Sequence, residues 1–190
     1  MNVGEELVAS YLRHIKDCEF TQQNLYTPDV QGEIDVVGIN LKEKTVYICE
    51  VAIHLVTGLQ YVKDKRPNNV GKLSEKFSRD IEYTRKSFPD YKHVFMFWSP
   101  IVKGGKVNII YNQLDALKAV DDHLKTHYEV SVEFVINKKF QDRITELRKY
   151  AASKTEELKC PVLRLLQIEE LLSRHLNRGT KEAAITVAIS

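Results

Sequence analysis

The sequence predicts an α/β fold in which a mixed central sheet is flanked by helices and followed by a C-terminal helical extension. Three observations predict it. Apolar residues at helical spacing alternate with short β-branched runs through the first two thirds of the chain. One of those runs, HVFMFWSP (residues 93–100), is continuously apolar and bounded by polar and Pro signals, as a buried central strand is. After Lys139 the strand-like runs give way to leucine-rich helical spacing. The order helix, strand, strand, helix, strand, strand, helix, strand calls for layers around one sheet. The core is assigned to residues 1–139 and the extension to residues 140–190.

Each element has its own signal. Leu7, Val8, Tyr11, Leu12 and Ile15 recur at helical spacing after Gly4 and mark an opening helix over residues 3–16. GEIDVVGI and TVYICEVAI are β-branched runs joined by the polar LKEK, which reads as a hairpin. A basic loop with Pro67, Asn68 and Asn69 follows, and Val70, Leu73, Phe77 and Ile81 then line one face of a second helix. VNIIYN (107–112) reads as a strand, residues 113–126 as a helix, and YEVSVEFVIN as a last strand. Phe140, Ile144, Leu147 and Tyr150 define a helix that Cys160-Pro161 interrupts; LRLLQIEELLSRHLNRG forms another, expected to stop at Gly179 with its leucines in a core. The terminal AAITVAIS reads as a strand or a contact between subunits.

The length of 190 residues suits one domain with an appendage. Hydrophobic and charged fractions of 43% and 28% are those of an ordinary globular chain, which excludes a disordered one. The amphipathic, acidic N-terminus is neither a signal peptide nor a membrane span, so a cytoplasmic protein with no membrane partner is expected. Cys18, Cys49 and Cys160 are odd in number and lack zinc-ligand spacing, which argues for reduced, packed thiols. A net charge of +2 is too small to imply nucleic acid by itself. Between Leu59 and Lys92, however, nine Lys/Arg face five Asp/Glu, and KDKR at 63–66 concentrates the surplus. Such a run is ordinarily a solvated face and gains meaning only beside a site.

The chemistry begins with Glu50, a carboxylate inside the apolar ICEVAIHL (48–55). A buried acid without a partner costs several kcal/mol, so it shifts its pKa, pairs or binds a metal. Pairing Leu41 with Lys44 across the turn sets Ile39 opposite Val46, Val37 opposite Ile48 and Asp35 opposite Glu50, because antiparallel partners keep a constant sum. Opposed residues have Cβ atoms roughly 4.5–5.5 Å apart, where two negative charges repel. A divalent cation with oxygen ligands, Mg²⁺ or Mn²⁺, is the simplest remedy. A different register, a protonated acid or a salt bridge are the alternatives. Glu5, in the first turn of the opening helix, reads by itself as a dipole-favoured acid and, beside Asp35 and Glu50, as a third acid for the site.

GEELVASYL (4–12), PDVQGEIDVVG (28–38) and ICEV (48–51) together resemble the PD-(D/E)xK nuclease superfamily, the fold of restriction endonucleases and Holliday-junction resolvases. The resemblance spans roughly the first hundred residues and implies a restriction-endonuclease-like core with Glu5, Asp35 and Glu50 as metal ligands. Of the two candidate aspartates, Asp35 rather than Asp29 of Pro28-Asp29 faces Glu50. The chain departs from the pattern at Ala52, where such proteins usually carry a lysine that orients or deprotonates the attacking water. Some members take that lysine from the next helix. Lys72 and Lys76 are placed to supply it, Lys76 by a small margin because Phe77 anchors its turn, and His54 is a further candidate through its expected position on the strand face of Glu50.

With the resemblance, these readings lead to the expectation of a metal-dependent DNA endonuclease, with Lys63, Lys65 and Arg66 contacting phosphates and Glu5, Asp35, Glu50, Lys72, Lys76 and His54 as candidate catalytic residues. The competing expectation is a catalytically degenerate nuclease-fold module that binds nucleic acid or a protein partner. The leucine-rich C-terminal helices suggest a homodimer.

Overall fold

A computed structural model describes residues 2–27, 32–105 and 112–189. The chain is α/β, with a five-stranded mixed sheet flanked by helices. In chain order the elements are α1 (Val3–His14), β1 (Phe20–Tyr26), β2 (Glu33–Asn40), β3 (Thr45–Val51), the short strands β4 (Val62–Lys63) and β5 (Arg66–Pro67), α2 (Asn69–Ser87), β6 (Lys92–Ser99), α3 (Gln113–Tyr128), β7 (Val132–Ile136), α4 (Lys138–Ser153) and α5 (Pro161–Ile189). The chain divides into two compact units, residues 1–142 and 143–190, with α4 running from one into the other.

Sheet order is β1-β2-β3-β6-β7. The first three strands form an antiparallel meander, whereas β3, β6 and β7 run parallel, joined through α2 and α3. The hairpin has the register expected from its turn, with Val37 opposite Ile48 and Ile39 opposite Val46. Burial on both faces explains the unbroken apolar runs: β3 is buried from Thr45 through Glu50, and Phe95 through Trp98 of β6 are buried.

One sheet face carries Val37, Ile48, Phe95 and Phe97 against Leu73, Phe77 and Ile81 of α2 and Leu117, Val120 and Leu124 of α3. Each fully buried α2 anchor contributes about 1.5–3 kcal/mol of transfer free energy. The other face, with Cys49 and Trp98, receives α1, whose Tyr11 meets Trp98 edge-on at 5.1 Å. Gly38 permits that close approach, because a Cβ there would stand 2.8 Å from Leu12 Cδ1.

Several elements differ from expectation. Strand β1 is an edge strand of polar, alternating composition whose pairing to β2, not its hydrophobicity, makes it a strand. Val70 is 39% exposed, leaving Leu73, Phe77 and Ile81 as the core face of α2. The expected strand at 107–112 falls almost wholly outside the described residues. In the C-terminal unit α5 passes through Gly179 and takes in the residues expected to form a strand. One glycine costs a helix about 1 kcal/mol, too little to end it where strong helix formers such as Ala183 and Ala184 follow. Leu163 and Gln167 of α5 are buried, and Gln167 Nε2 donates to the carbonyls of Lys154 and Glu156 at 3.0 Å each. Leu165, Leu171, Leu172 and Leu176 are exposed instead of forming the expected core. At 29 residues α5 is about 43 Å long, and the stretch of α4 in the same unit is too short to cover it.

Candidate functional site

Asp35 and Glu50 come together at the C-terminal end of β3. The paired ladder ends at Val36–Cys49; one step beyond it the Asp35 side chain takes over from the backbone, its Oδ2 accepting the Val51 N–H at 2.7 Å. Both acids stand on the α2 face of the sheet, since they alternate in phase with Val37 and Ile48. Glu50 is fully buried and Asp35 nearly so.

Helix α2 supplies the opposite charge. Its core anchors Leu73 and Phe77 bring Lys76 onto the flank facing the hairpin, where its ammonium contacts Glu50 Oε2 and lies 3.4 and 3.5 Å from the two Asp35 oxygens. The Arg79 guanidinium approaches Glu50 Oε1 at 3.8 Å, donates to Asp80 Oδ1 at 2.9 and 3.1 Å, and donates to the Glu33 carbonyl at 2.7 Å. It lies over Gly32, where a Cβ would fall 2.1 Å from Nη1 and push the guanidinium aside. Asp80 is itself completely buried. Three carboxylates, Asp35, Glu50 and Asp80, thus share two cations, Lys76 and Arg79.

This imbalance is visible in the protonation equilibria. Burial pushes the Glu50 carboxyl well above its usual range, the Asp35 charge adds to the rise, and Lys76 opposes it. Asp80 is raised by burial, against the lowering effect of its hydrogen bonds and of Arg79. Burial alone would lower Lys76, but the Glu50 and Asp35 charges outweigh it and hold the amine protonated well above the ordinary lysine value. Tyr61 lies in the same field; burial pushes its phenol up to about 12, with Lys76 opposing and Glu50 and Asp35 reinforcing.

The other expected residues are dispersed. Glu5 does not join the pair. It rides on α1, across the sheet, and its oxygens are occupied by the amides of Asn2 and of Asn24, the latter at 3.0 Å. Lys72 is 44% exposed and pairs with Glu75 at 3.5 Å. His54 lies beyond the end of β3, so strand alternation no longer sets its direction; its ring meets Tyr61 edge-on at 6.3 Å. Ala52, where a lysine is usual, is packed in the main core. Lys63, Lys65 and Arg66 stand exposed on the β4–β5 ribbon, whose two-residue turn Asp64-Lys65 has positive φ at both positions, as a type I′ hairpin requires. A cleft of about 370 Å³ lies between this ribbon and α2, lined by Tyr61, Val62, Lys63, Asn68, Lys72 and Glu75.

Sequence reasoning missed Arg79, Asp80 and Tyr61. Helical spacing could have found the first two: Asp80 lies four residues beyond Lys76, on the same flank. Tyr61 gives no such signal, because it is positioned by a loop that Asn69 holds, its Oδ1 accepting the Tyr61 N–H at 2.7 Å and its Nδ2 donating to the Leu59 carbonyl at 3.1 Å.

Among the described residues, no three His, Cys, Asp or Glu side chains group as a metal site. The site therefore consists of two adjacent carboxylates bridged by an ammonium and backed by an Arg–Asp pair. Two details suit a cation-binding role: the carboxylates already share one cation, and the buried Glu50 Oε1 has no hydrogen-bond donor. Two protein carboxylates with the remaining positions left to water is the manner in which Mg²⁺ is commonly held. No protein-family model, curated protein or solved structure matches the chain. No helix among the described residues is long and apolar enough to cross a membrane.

Proposed function

We propose that this chain is a metal-dependent deoxyribonuclease of the PD-(D/E)xK type on a restriction-endonuclease-like core, hydrolysing phosphodiester bonds in DNA. The observation that carries the reading is the meeting of Asp35 and Glu50 on adjacent strands with Lys76 from the following helix, the amine that would replace the one absent at Ala52. Asp35 and Glu50 would hold Mg²⁺ or Mn²⁺, which supplies a bound water of lowered pKa and polarises the phosphate. Asp35 is oriented for this by the Val51 N–H, and Glu50 has Arg79 beside its Oε1. Lys76 contributes the positive charge that offsets the phosphate and orients the attacking water. Lys63, Lys65 and Arg66 on the exposed ribbon bind neighbouring phosphates without reading sequence. A homodimer through α5 would let two sites address two strands.

A second reading has its own support. Ala52 is packed in the core, and Glu5 is committed to two amides, as expected of a nuclease-fold module that binds nucleic acid or protein without cutting. The deciding experiment incubates the protein with supercoiled, linear and branched DNA in Mg²⁺ and in Mn²⁺, beside Asp35→Asn and Glu50→Gln. Cleavage by the parent alone establishes the nuclease. Binding without cleavage under every condition overturns it in favour of the module.

A further inference from the structure

Lys76 stands where a shared cation would stand. Its Nζ touches Glu50 Oε2 and faces both oxygens of Asp35, and among the described residues it hydrogen-bonds to these two carboxylates alone. Arg79 is held differently: Asp80, the Glu33 carbonyl and the close approach to Gly32 fix it independently of Glu50. Of the two cations in the cluster, one is tied in place and the other sits at the end of a flexible four-carbon stem.

We propose that a divalent cation enters the Asp35–Glu50 pair by displacing the Lys76 ammonium, so that Lys76 is the metal's competitor as well as its catalytic companion. The proposal rests on the metal-site reading above. An ion bound to the facing oxygens needs the electron pairs that Lys76 now engages, and the two positive charges repel at that separation. Formal charge gives the direction of exchange. Counted with Asp35, Glu50 and Asp80 ionised, the form in which carboxylates bind a metal, the cluster carries −3 against +2 from Lys76 and Arg79, leaving −1. A divalent ion in place of the ammonium leaves the cluster neutral, whereas a divalent ion beside it leaves +1. The exchange also turns Lys76 from a counter-ion, with its donors committed to carboxylates, into an amine free to face water and phosphate.

The cost of displacing the ammonium lowers apparent metal affinity by the fraction of molecules in which the pair is free; at one in ten, the loss is about tenfold. Lys76→Met keeps the stem and removes the charge, so Mn²⁺ titrated calorimetrically should bind it about tenfold more tightly than the parent. Lys72→Ala, whose lysine pairs with Glu75, should match the parent. Because Lys76→Met leaves the carboxylates uncompensated and could impair folding, the unmodified protein supplies a second measurement. Acetylation of Lys76 by acetic anhydride, read by peptide mass spectrometry, should rise when Mg²⁺ is added, while that of Lys72 stays constant. Equal or weaker Mn²⁺ binding by the folded variant, or Lys76 acetylation unchanged by a saturating ion, overturns displacement and leaves the metal site standing. Absence of binding by both proteins overturns displacement and the metal site together.

Discussion

Two groups of basic residues between Leu59 and Lys92 have opposite surroundings. On the β4–β5 ribbon, Lys63, Lys65 and Arg66 stand in solvent at a tight turn. On α2, Lys76 and Arg79 have side chains only 16% and 13% exposed, and each faces buried carboxylate. The same residue types therefore do different work. Solvated cations gain little from any one neighbour, because water and salt screen them, and they remain available to an incoming phosphate. Desolvated cations are held by their partners, and those partners become costly to keep once the cation is removed. A charge count along the sequence merges the two groups; burial separates them.

The largest separation should appear in catalysis. Lys76→Ala is expected to lower metal-dependent DNA cleavage by about 10²-fold or more, as loss of a positioned proton-handling group does. Metal affinity should not fall with it. In a plasmid-nicking assay with calorimetry alongside, wild-type cleavage by Lys76→Ala would remove the lysine from the chemistry and make His54 the next candidate.

Stability comes next. Arg79→Ala leaves Glu50 and Asp80 buried with Lys76 as their remaining cation, and should cost about 3–5 kcal/mol in a urea titration. Arg66→Ala, on the ribbon, should stay within about 0.5 kcal/mol of the parent. Similar losses for both would erase the distinction between the two groups.

The buried cluster should also mark the pH dependence of the metal-free protein. Glu50 is raised above its ordinary 4.5 by burial and by Asp35. A carboxyl with a higher pKa in the folded state holds its proton better there. Its stabilising contribution is complete below the unfolded value and is lost as pH rises through the folded one. This is the reverse of a salt-bridged acid with a lowered pKa. Urea midpoints with chelator present should fall as pH rises above 4.5 because of this group, and Glu50→Gln should flatten that part of the profile. An identical slope in the variant would show that the decline originates elsewhere.

The smallest expected effect is on the ribbon. Replacing Lys63, Lys65 and Arg66 singly by Ala should weaken DNA binding with no preference among sequences, and each should reduce the slope of log K against log salt by about 0.9. Gel-shift titrations at several salt concentrations measure it. Unchanged slopes in all three would take the ribbon out of the interface.

Much of the fold follows from local rules. Two β-branched runs around the four-residue LKEK turn are enough to set a hairpin register, because a slip of one residue would turn every side chain to the wrong face, and that register brings Asp35 to Glu50. Apolar spacing likewise located Leu73, Phe77 and Ile81, and so the flank on which Lys76 lies. Local rules failed where neighbours distant in sequence decide the outcome. The polar β1 is a strand because β2 offers an edge, and the apolar end of the chain continues α5 instead of forming a strand.

The site divides along the same line. The sequence by itself determined that two carboxylates would oppose each other on one sheet face and that a helix with two candidate lysines would follow, because strand and helix periodicities act over a few residues. Tertiary structure decided that Lys76 and not Lys72 reaches the pair, that Arg79 and Asp80 stand behind it, that Ala52 is sealed in the core, and that Glu5 turns to Asn2 and Asn24. The physical reason is distance. Contact and desolvation depend on how α1 and α2 pack on opposite faces of the sheet, and packing places side by side residues that no short-range pattern links.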